Sequence, residues 1–457
     1  MNSFGKITFL GGAGEATGSH FLFDCLGHRY AVDCGVVQGE RFANEENAKA
    51  FPYDVSKLEA LIITHAHMDH IGRIPKLVAQ GFKGPIYSTV ATKEISGATF
   101  ADAVKIMTME AQELHKEPLY TASSVTAAMA MWKTIPYHSS FTLSPEISFE
   151  LKDSGHILGS AIVEFTATVA GSPKKVVFTG DLGNSPSLLL HDTEIIDDAD
   201  YMLMESVYGD RNHEPAAQRD ETFAKTLIET VSGGGVVIIP TFSIERTQVL
   251  LYSIEKLFES GRLPDVPVFL DSPLALKVTH IYEENTELFN DAAREAAKGH
   301  DLFNFKNLSI VRTPMESAAI HETKGPKIIL AGSGMSVGGR VISHEKYYLG
   351  DPNSAILFVG YQAAGSLGRR IADGEKNVTI DNAPVTIRAK IVQIDGFSAH
   401  KDSDHLLEFV SHSQKTLKKV FVCMGELSSE TFLAQKIRDN LNIDAVVPEE
   451  GSIADLI

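Results

Sequence analysis

The stretch Leu61-Ile62-Ile63-Thr64-His65-Ala66-His67-Met68-Asp69-His70-Ile71-Gly72 constrains this chain more than any other. It places three histidines and an aspartate within six residues, in the order H-x-H-x-D-H. The apolar run from Ala60 to Ile63 reads as a buried strand, and the segment from His70 to Gln80 reads as a helix. The polar residues therefore occupy a loop leaving the C-terminal end of a strand. Imidazole and carboxylate are the ligand types that suit zinc and its first-row neighbours. On a near-extended loop, alternate residues can aim His65 and His67 at one ion, with Asp69 and His70 displaced far enough to reach a second.

The totals bound what can surround such a site. A chain of 457 residues exceeds one ordinary core, so two domains are expected. Its 44% hydrophobic and 22% charged residues are those of a soluble globular protein. No apolar stretch approaches the roughly 20 residues that span a bilayer. The segment Met1 to Lys6 lacks the basic-then-apolar pattern of a signal peptide, so a cytoplasmic location is expected. Cys25, Cys34 and Cys423 form no C-x-x-C pair, which argues against a disulfide framework and a thiolate zinc site. The seventeen histidines are the reserve of metal ligands. A net charge of −18 argues against broad nonspecific adhesion to nucleic acid, while leaving room for a local basic groove.

The H-x-H-x-D-H stretch resembles the signature of the metallo-β-lactamase superfamily. That resemblance implies an α/β fold, an αββα sandwich with one or two metals at one edge of its sheets. Gly11-Gly12-Ala13-Gly14-Glu15-Ala16-Thr17-Gly18 is not a dinucleotide loop: the spacing departs from G-x-G-x-x-G, and a strand rather than a helix follows. Asp33, ending the strand from Arg29, reads as a turn cap or as a partner that orients a ligand histidine. The family has an aspartate there, which favours the second role. Helices are expected over about Thr92–Leu114 and Ser124–Trp132, with Met107, Met109, Met129, Met131 and Trp132 as packing residues. Asp153-Ser154-Gly155-His156-Ile157-Leu158-Gly159-Ser160-Ala161 resembles the family's G-H-x-x-G-S-A motif, which makes His156 the implied third ligand of the first metal. Asp181, after the strand Val176–Phe178, matches the carboxylate that bridges both metals in the family.

Met204-Glu205-Ser206-Val207-Tyr208-Gly209-Asp210-Arg211 narrows the resemblance to the β-CASP branch, the RNA- and DNA-processing nucleases of the superfamily. That branch carries an inserted domain. The apolar strands at Val236–Ile239, Val266–Leu270 and Lys327–Leu330, with a helix from about Glu245 to Glu259, imply a parallel α/β unit. The expected division is 1–207 and 363–457 for the metallo-β-lactamase domain, with 208–362 inserted. Ala331-Gly332-Ser333-Gly334-Met335-Ser336-Val337-Gly338-Gly339-Arg340 is a small-residue loop between a strand and a helix, able to offer backbone N–H groups to an anion. The branch directs this motif at its cleft, which implies Ser333, Ser336 and Arg340 as holders of the RNA backbone. The run from Tyr361 to Arg370 also matches the branch and adds Arg369, with Arg370 beside it.

Asp395-Gly396-Phe397-Ser398-Ala399-His400-Lys401-Asp402 is close to the branch's G-F-S-A-H-x-D, whose histidine pairs with the glutamate matched by Glu205. A histidine held by a carboxylate stays protonated near neutral pH and can donate to a leaving oxygen. Val422-Cys423-Met424-Gly425-Glu426 departs from the branch's V-H-G-E: Met424 stands where a ligand of the second metal is expected. A thioether is a poor zinc ligand, and Cys423 is expected on the opposite face of the strand.

The resemblance implies a zinc-dependent RNA phosphodiesterase using a metal-activated hydroxide, an endoribonuclease with or without 5′-to-3′ exonuclease action. Its metals would be held by His65, His67, Asp69, His70, His156 and Asp181, and its chemistry carried by Asp69, Asp181, Glu205 and His400. Two zinc sites are implied, the second weakened. Single-stranded RNA is the implied partner, and a homodimer is a family-based expectation. Two other readings compete: an impaired homologue that binds RNA or a processing partner without cutting, and a hydrolase of small esters or thioesters.

Overall fold

A computed structural model of the chain describes residues 3–38, 43–115, 117–360, 362 and 365–457. It divides into two compact units, residues 1–212 with 400–457, and residues 213–399. The sequence reading returned the chain to the first domain at residue 363. Instead, the Asn377–Ile380 and Ala383–Thr386 hairpin and the strand Lys390–Gln393 belong to the second unit, where Lys390–Gln393 pairs in parallel with Ala355–Phe358. Residues 361, 363 and 364 of the expected Tyr361–Arg370 motif lie outside the described residues.

The first unit is built on two seven-stranded sheets. One runs, edge to edge, through Ile453–Leu456, Gly5–Phe9, Phe21–Cys25, His28–Val32, Ala60–Ile62, Ile86–Ser88 and Trp132–Thr134. The other runs through Ala445–Val446, Lys419–Val422, Tyr201–Met204, Ser172–Phe178, Ala161–Val169, Ile147–Asp153 and Phe141–Ser144. Alternation along the strands sends Phe9, Phe21, Phe23 and Tyr30 of the first sheet, and Phe149, Phe165, Phe178 and Phe421 of the second, into one shared core. Phe165 lies at its centre, with ring centroids 4.9 Å from Phe23 and 5.8 Å from Phe178. Residues of opposite parity face helices: Leu61, Ile63 and Ile86 pack with Ile74, Leu77 and Phe100, and Met202, Met204 and Val422 pack with Leu406, Phe409 and Leu433. This is the αββα sandwich.

The anticipated helices form at Val90–Leu114 and Ala122–Met131, capped by Thr89 and Thr121. Met107, Met129 and Met131 pack against the outer core and Trp132 is buried, whereas Met109 is exposed. The continuous helix expected over 70–80 is two short ones, Met68–Ile71 and Ile74–Ala79. Pro75 supplies no backbone N–H, so the second helix starts beside it rather than continuing the first. Among the described residues no helix is long and apolar enough to cross a membrane.

In the second unit, six parallel strands run in the order Leu308–Ile310, Val268–Asp271, Lys327–Ala331, Val236–Pro240, Ala355–Phe358 and Lys390–Gln393. The apolar runs read from sequence supply its buried strands. The helices Ala216–Ser232 and Arg246–Glu259 follow the amphipathic pattern expected of elements packed on such a sheet.

Candidate metal centre and active site

The site forms where strands of both sheets of the first unit end. Three side chains from the loop after Ala60–Ile62 meet one from the loop after Ile147–Asp153 and one from the loop after Ser172–Phe178. Two close approaches allow this. Gly35 lies so near the Asp69 carbonyl that a β-carbon there would sit 1.5 Å from its oxygen. Gly180, at φ +55°, brings the Asp181 loop against Thr64, whose β-carbon would lie 2.6 Å from any side chain at that position.

His65, His67, His156 and Asp181 each offer one ligand atom, all within 4.8 Å of one another. Nε2 of His65 and Nε2 of His156 lie 3.1 and 3.2 Å from Nδ1 of His67, and each lies 3.3 Å from Oδ2 of Asp181. The edge of a tetrahedron of ligands about 2.0–2.1 Å from zinc is about 3.3 Å, so the donor set fits such an ion. Burial, reinforced by neighbouring histidines, holds the pKa of His67 and of His156 well below the usual range. Both are therefore neutral imidazoles, the form that ligates.

A hydrogen-bond relay behind this set decides which nitrogen faces inward. Thr64 donates its backbone N–H to Asp33 Oδ1 and its hydroxyl to Asp33 Oδ2, both at 2.8 Å. Its single hydroxyl hydrogen is then spent, so Thr64 Oγ1 accepts from His65 Nδ1 at 3.0 Å and leaves the His65 Nε2 lone pair inward. Asp33 also accepts from His70 Nδ1 at 2.7 Å, which turns His70 Nε2 to Asp181 Oδ1 at 3.3 Å. Thus Asp181 presents Oδ2 to His65 and His156 and Oδ1 to His70. Asp69 is coupled electrostatically to both His70 and Asp181, with burial raising its pKa. Asp33 itself stands at φ +59° and turns its carboxylate to Thr64 and His70. Thr64 and Ser160, whose hydroxyl accepts the His156 N–H at 3.1 Å, had no role in the sequence reading. The one trace of Thr64 in the sequence was a hydroxyl residue directly before the first histidine.

Glu205 and His400 complete the neighbourhood. His400 Nδ1 lies 3.2 and 3.1 Å from the two Glu205 carboxylate oxygens and 3.9 Å from Asp181 Oδ2. Glu205 Oε1 also accepts the Leu182 N–H at 2.6 Å, which fixes the carboxylate. Burial opposes charge on His400, but the Glu205 and Asp181 carboxylates outweigh it and push its pKa up to about 9. The His400 side chain is 21% exposed while those of Glu205 and Asp181 are 0% and 5%, so the dyad reaches solvent through its histidine.

Met424 ends the Lys419–Val422 strand at φ +52° and is buried in the inter-sheet core. Its sulfur accepts a 3.6 Å contact from the Ser19 hydroxyl. Cys423, expected on the opposite face, packs in the same core cluster, because the left-handed turn at Met424 breaks the alternation. Met424→His is expected to raise the zinc held after dialysis by up to about one equivalent, read by elemental analysis. Unchanged content would remove the account of this position. His tolerates positive φ better than most residues.

Nearby, Glu430 accepts the Gly14 N–H at 2.9 and 3.0 Å, and burial pushes its carboxyl up to about 8. The folded state therefore holds this proton more tightly than the unfolded chain. The stability it contributes is full below about pH 4.3 and declines as pH rises towards 8. Glu430→Gln is expected to flatten the fall in urea midpoint between pH 5.5 and 8.5, and an unaltered slope would assign that fall elsewhere.

The residues expected to hold RNA have local partners in the second unit. Arg340 pairs with Asp271 at 2.5 Å and donates to the Val311 and Arg312 carbonyls at 3.2 and 2.8 Å. The Ser336 hydroxyl donates to Glu345, and Ser333 Oγ accepts the Val337 N–H at 3.0 Å. Arg369 pairs with Asp373 at 2.9 Å and Arg370 with Glu375 at 2.7 Å. Arg340 thus braces its loop against a buried carboxylate instead of presenting an uncommitted guanidinium.

Three family models match the chain: a metallo-β-lactamase superfamily domain over residues 23–205, a Beta-Casp domain over 247–371, and a Zn-dependent metallo-hydrolase RNA specificity domain over 384–448. Ribonuclease TTHA0252 of Thermus thermophilus is 36% identical over 89% of this chain and 90% of its own length. This chain belongs to the β-CASP family of the metallo-β-lactamase superfamily. Transcription termination factor FttA of Methanosarcina mazei is 30% identical over 96% of this chain and 70% of its own. The same factor from Methanothermobacter thermautotrophicus is 30% identical over 98% and 71%. A solved structure of a protein of unknown function from Enterococcus faecalis shares the fold, with a TM-score of 0.56 at 12% identity over 99% of this chain and 100% of that one.

Proposed function

We propose that this β-CASP protein hydrolyses phosphodiester bonds of single-stranded RNA with zinc as its metal. The observation that carries the reading is the Glu205–His400 pair set against the four converging ligands His65, His67, His156 and Asp181. A small-ester hydrolase does not require a protonated histidine reaching solvent beside its metal ligands. The matched RNA specificity domain and the ribonuclease among the relatives support RNA as the substrate.

Zinc, when bound, supplies Lewis acidity to a phosphoryl oxygen and lowers the pKa of water. The chain's own groups do the rest. Thr64 and Asp33 hold His65 and His70 in the tautomers that keep Nε2 turned inward. His70 Nε2 and Asp181 Oδ1, 3.3 Å apart, would hold a second ion together with Asp69, without the imidazole that Met424 replaces. Glu205 engages His400 Nδ1 and keeps the ring charged at neutral pH, so proton transfer is assigned to Nε2, towards the departing 3′ oxygen. The downstream product then carries a 5′ phosphate.

Cleavage of a 5′-labelled single-stranded RNA by the zinc-loaded chain tests this. Internal fragments identify endonuclease action, and label released only as mononucleotide identifies 5′-to-3′ exonuclease action. Tight RNA binding without any product, zinc being present, would replace this reading by binding without cutting, the alternative that Met424 favours.

A further inference from the structure

A second set of metal-ligand side chains lies in the inserted unit, among residues that play no part in the chemistry above. Glu255 and Glu259 sit one turn apart on the Arg246–Glu259 helix, and His300 approaches them from the segment after Asp291–Ala297. One ligand atom of each lies within 4.8 Å of the others. His300 Nε2 is 3.4 Å from Glu255 Oε1 and 3.9 Å from Glu259 Oε1. The first separation is close to the edge of a zinc ligand polyhedron, about 3.3 Å, the second is longer, and both exceed a good hydrogen bond.

The local electrostatics are unfavourable without a cation. Like charges at i and i+4 repel, and Glu259 stands at the helix C-terminus, where the backbone carbonyls already concentrate negative potential. Asp301 adds to it at Glu255, and His300 offsets part of it. Lys298, the neighbouring cation, is paired with Glu295 at 2.6 Å. The independent observation is on Glu255. Its side chain is only 6% exposed, and its Oε2 is fully buried with no hydrogen-bond partner. A carboxylate oxygen buried this way is costly unless something outside the chain's own hydrogen bonds satisfies it. Burial also raises the Glu255 carboxyl to about 7, so a proton is weakly enough held for a metal to displace it. His300 also lines a hollow of about 460 Å³ together with Glu283 and Asp301, which neither Glu255 nor Glu259 borders.

We propose that Glu255, Glu259 and His300 form a metal site of the inserted unit, taking one first-row divalent cation and tying the 299–303 segment to the helix. Three protein donors of imidazole and carboxylate type leave a position for water.

The test uses the full chain, stripped with chelator, dialysed at low-micromolar free Zn²⁺ and analysed for bound zinc. His300→Gln and Glu259→Gln, both at exposed positions, are each expected to hold about one equivalent less than the unaltered chain. The rise in thermal midpoint on adding Zn²⁺ should shrink in both, while RNA cleavage persists. Zinc content equal to that of the unaltered chain in these two variants would overturn the proposal. Because zinc is counted directly, a chain inactive on RNA would still answer the question.

Discussion

Asp181→Ala is expected to lower RNA cleavage by at least about 10³-fold, the largest effect of any single replacement in this chain. Asp181 meets three histidines at once: Oδ2 lies 3.3 Å from both His65 and His156, and Oδ1 lies 3.3 Å from His70. Alanine removes a donor from the first set and the shared donor of the second. Bound zinc should therefore fall along with activity, which elemental analysis of the purified variant would register. Neighbouring histidines also balance the charge that Asp181 brings: burial alone would raise its pKa, yet His70, His65 and His400 hold it well below the usual carboxylate range. A variant that kept full zinc and cleaved normally would mean that Asp181 is not shared between ions.

His400→Ala should be the second largest loss, about 10²–10⁴-fold in turnover, with zinc content unchanged. The unchanged metal is the discriminating readout, since it separates proton donation from ligation. Glu205→Gln is expected to act through His400. With the carboxylate neutralised, the first of the attractions that raise the ring's pKa to about 9 is lost, and the alkaline limb of the pH–rate profile should move to lower pH. A Glu205→Gln enzyme with the original alkaline limb would separate the two residues' roles. Substrates with a better leaving group at the 3′ oxygen should recover part of the activity lost in His400→Ala, because they need the proton less.

The parts of this molecule legible in its sequence are those written locally. Apolar runs located strands in both sheets, among them Ala60–Ile62 and the end of Ser172–Phe178, and those at Val236–Ile239 and Lys327–Leu330 marked the parallel core of the inserted unit. Histidines and aspartates at strand ends could be located because loops after strands are where a sheet presents side chains. What stayed hidden depends on contacts between distant segments. Nothing near Thr64 states that its hydroxyl is given to Asp33, thirty-one residues away. Nothing near Arg340 states that its partner is Asp271, sixty-nine residues earlier, so a basic residue beside a glycine-rich loop looked available for phosphate when it is in fact committed. The return of the chain at residue 400 was read too early because the hairpin 377–386 and the strand 390–393 look the same whichever sheet they serve.

Glu205 and His400 are separated by 195 residues yet share a hydrogen bond, and nearly all of the intervening chain is the second unit. At a synthesis rate of about 5–20 residues per second, the carboxylate emerges roughly 10–40 s before the histidine it must charge. The segment that brings His400 also carries Lys419–Val422 into the second sheet and Ile453–Leu456 onto the edge of the first. The Glu205–His400 pair is therefore assembled only after the second unit has been made.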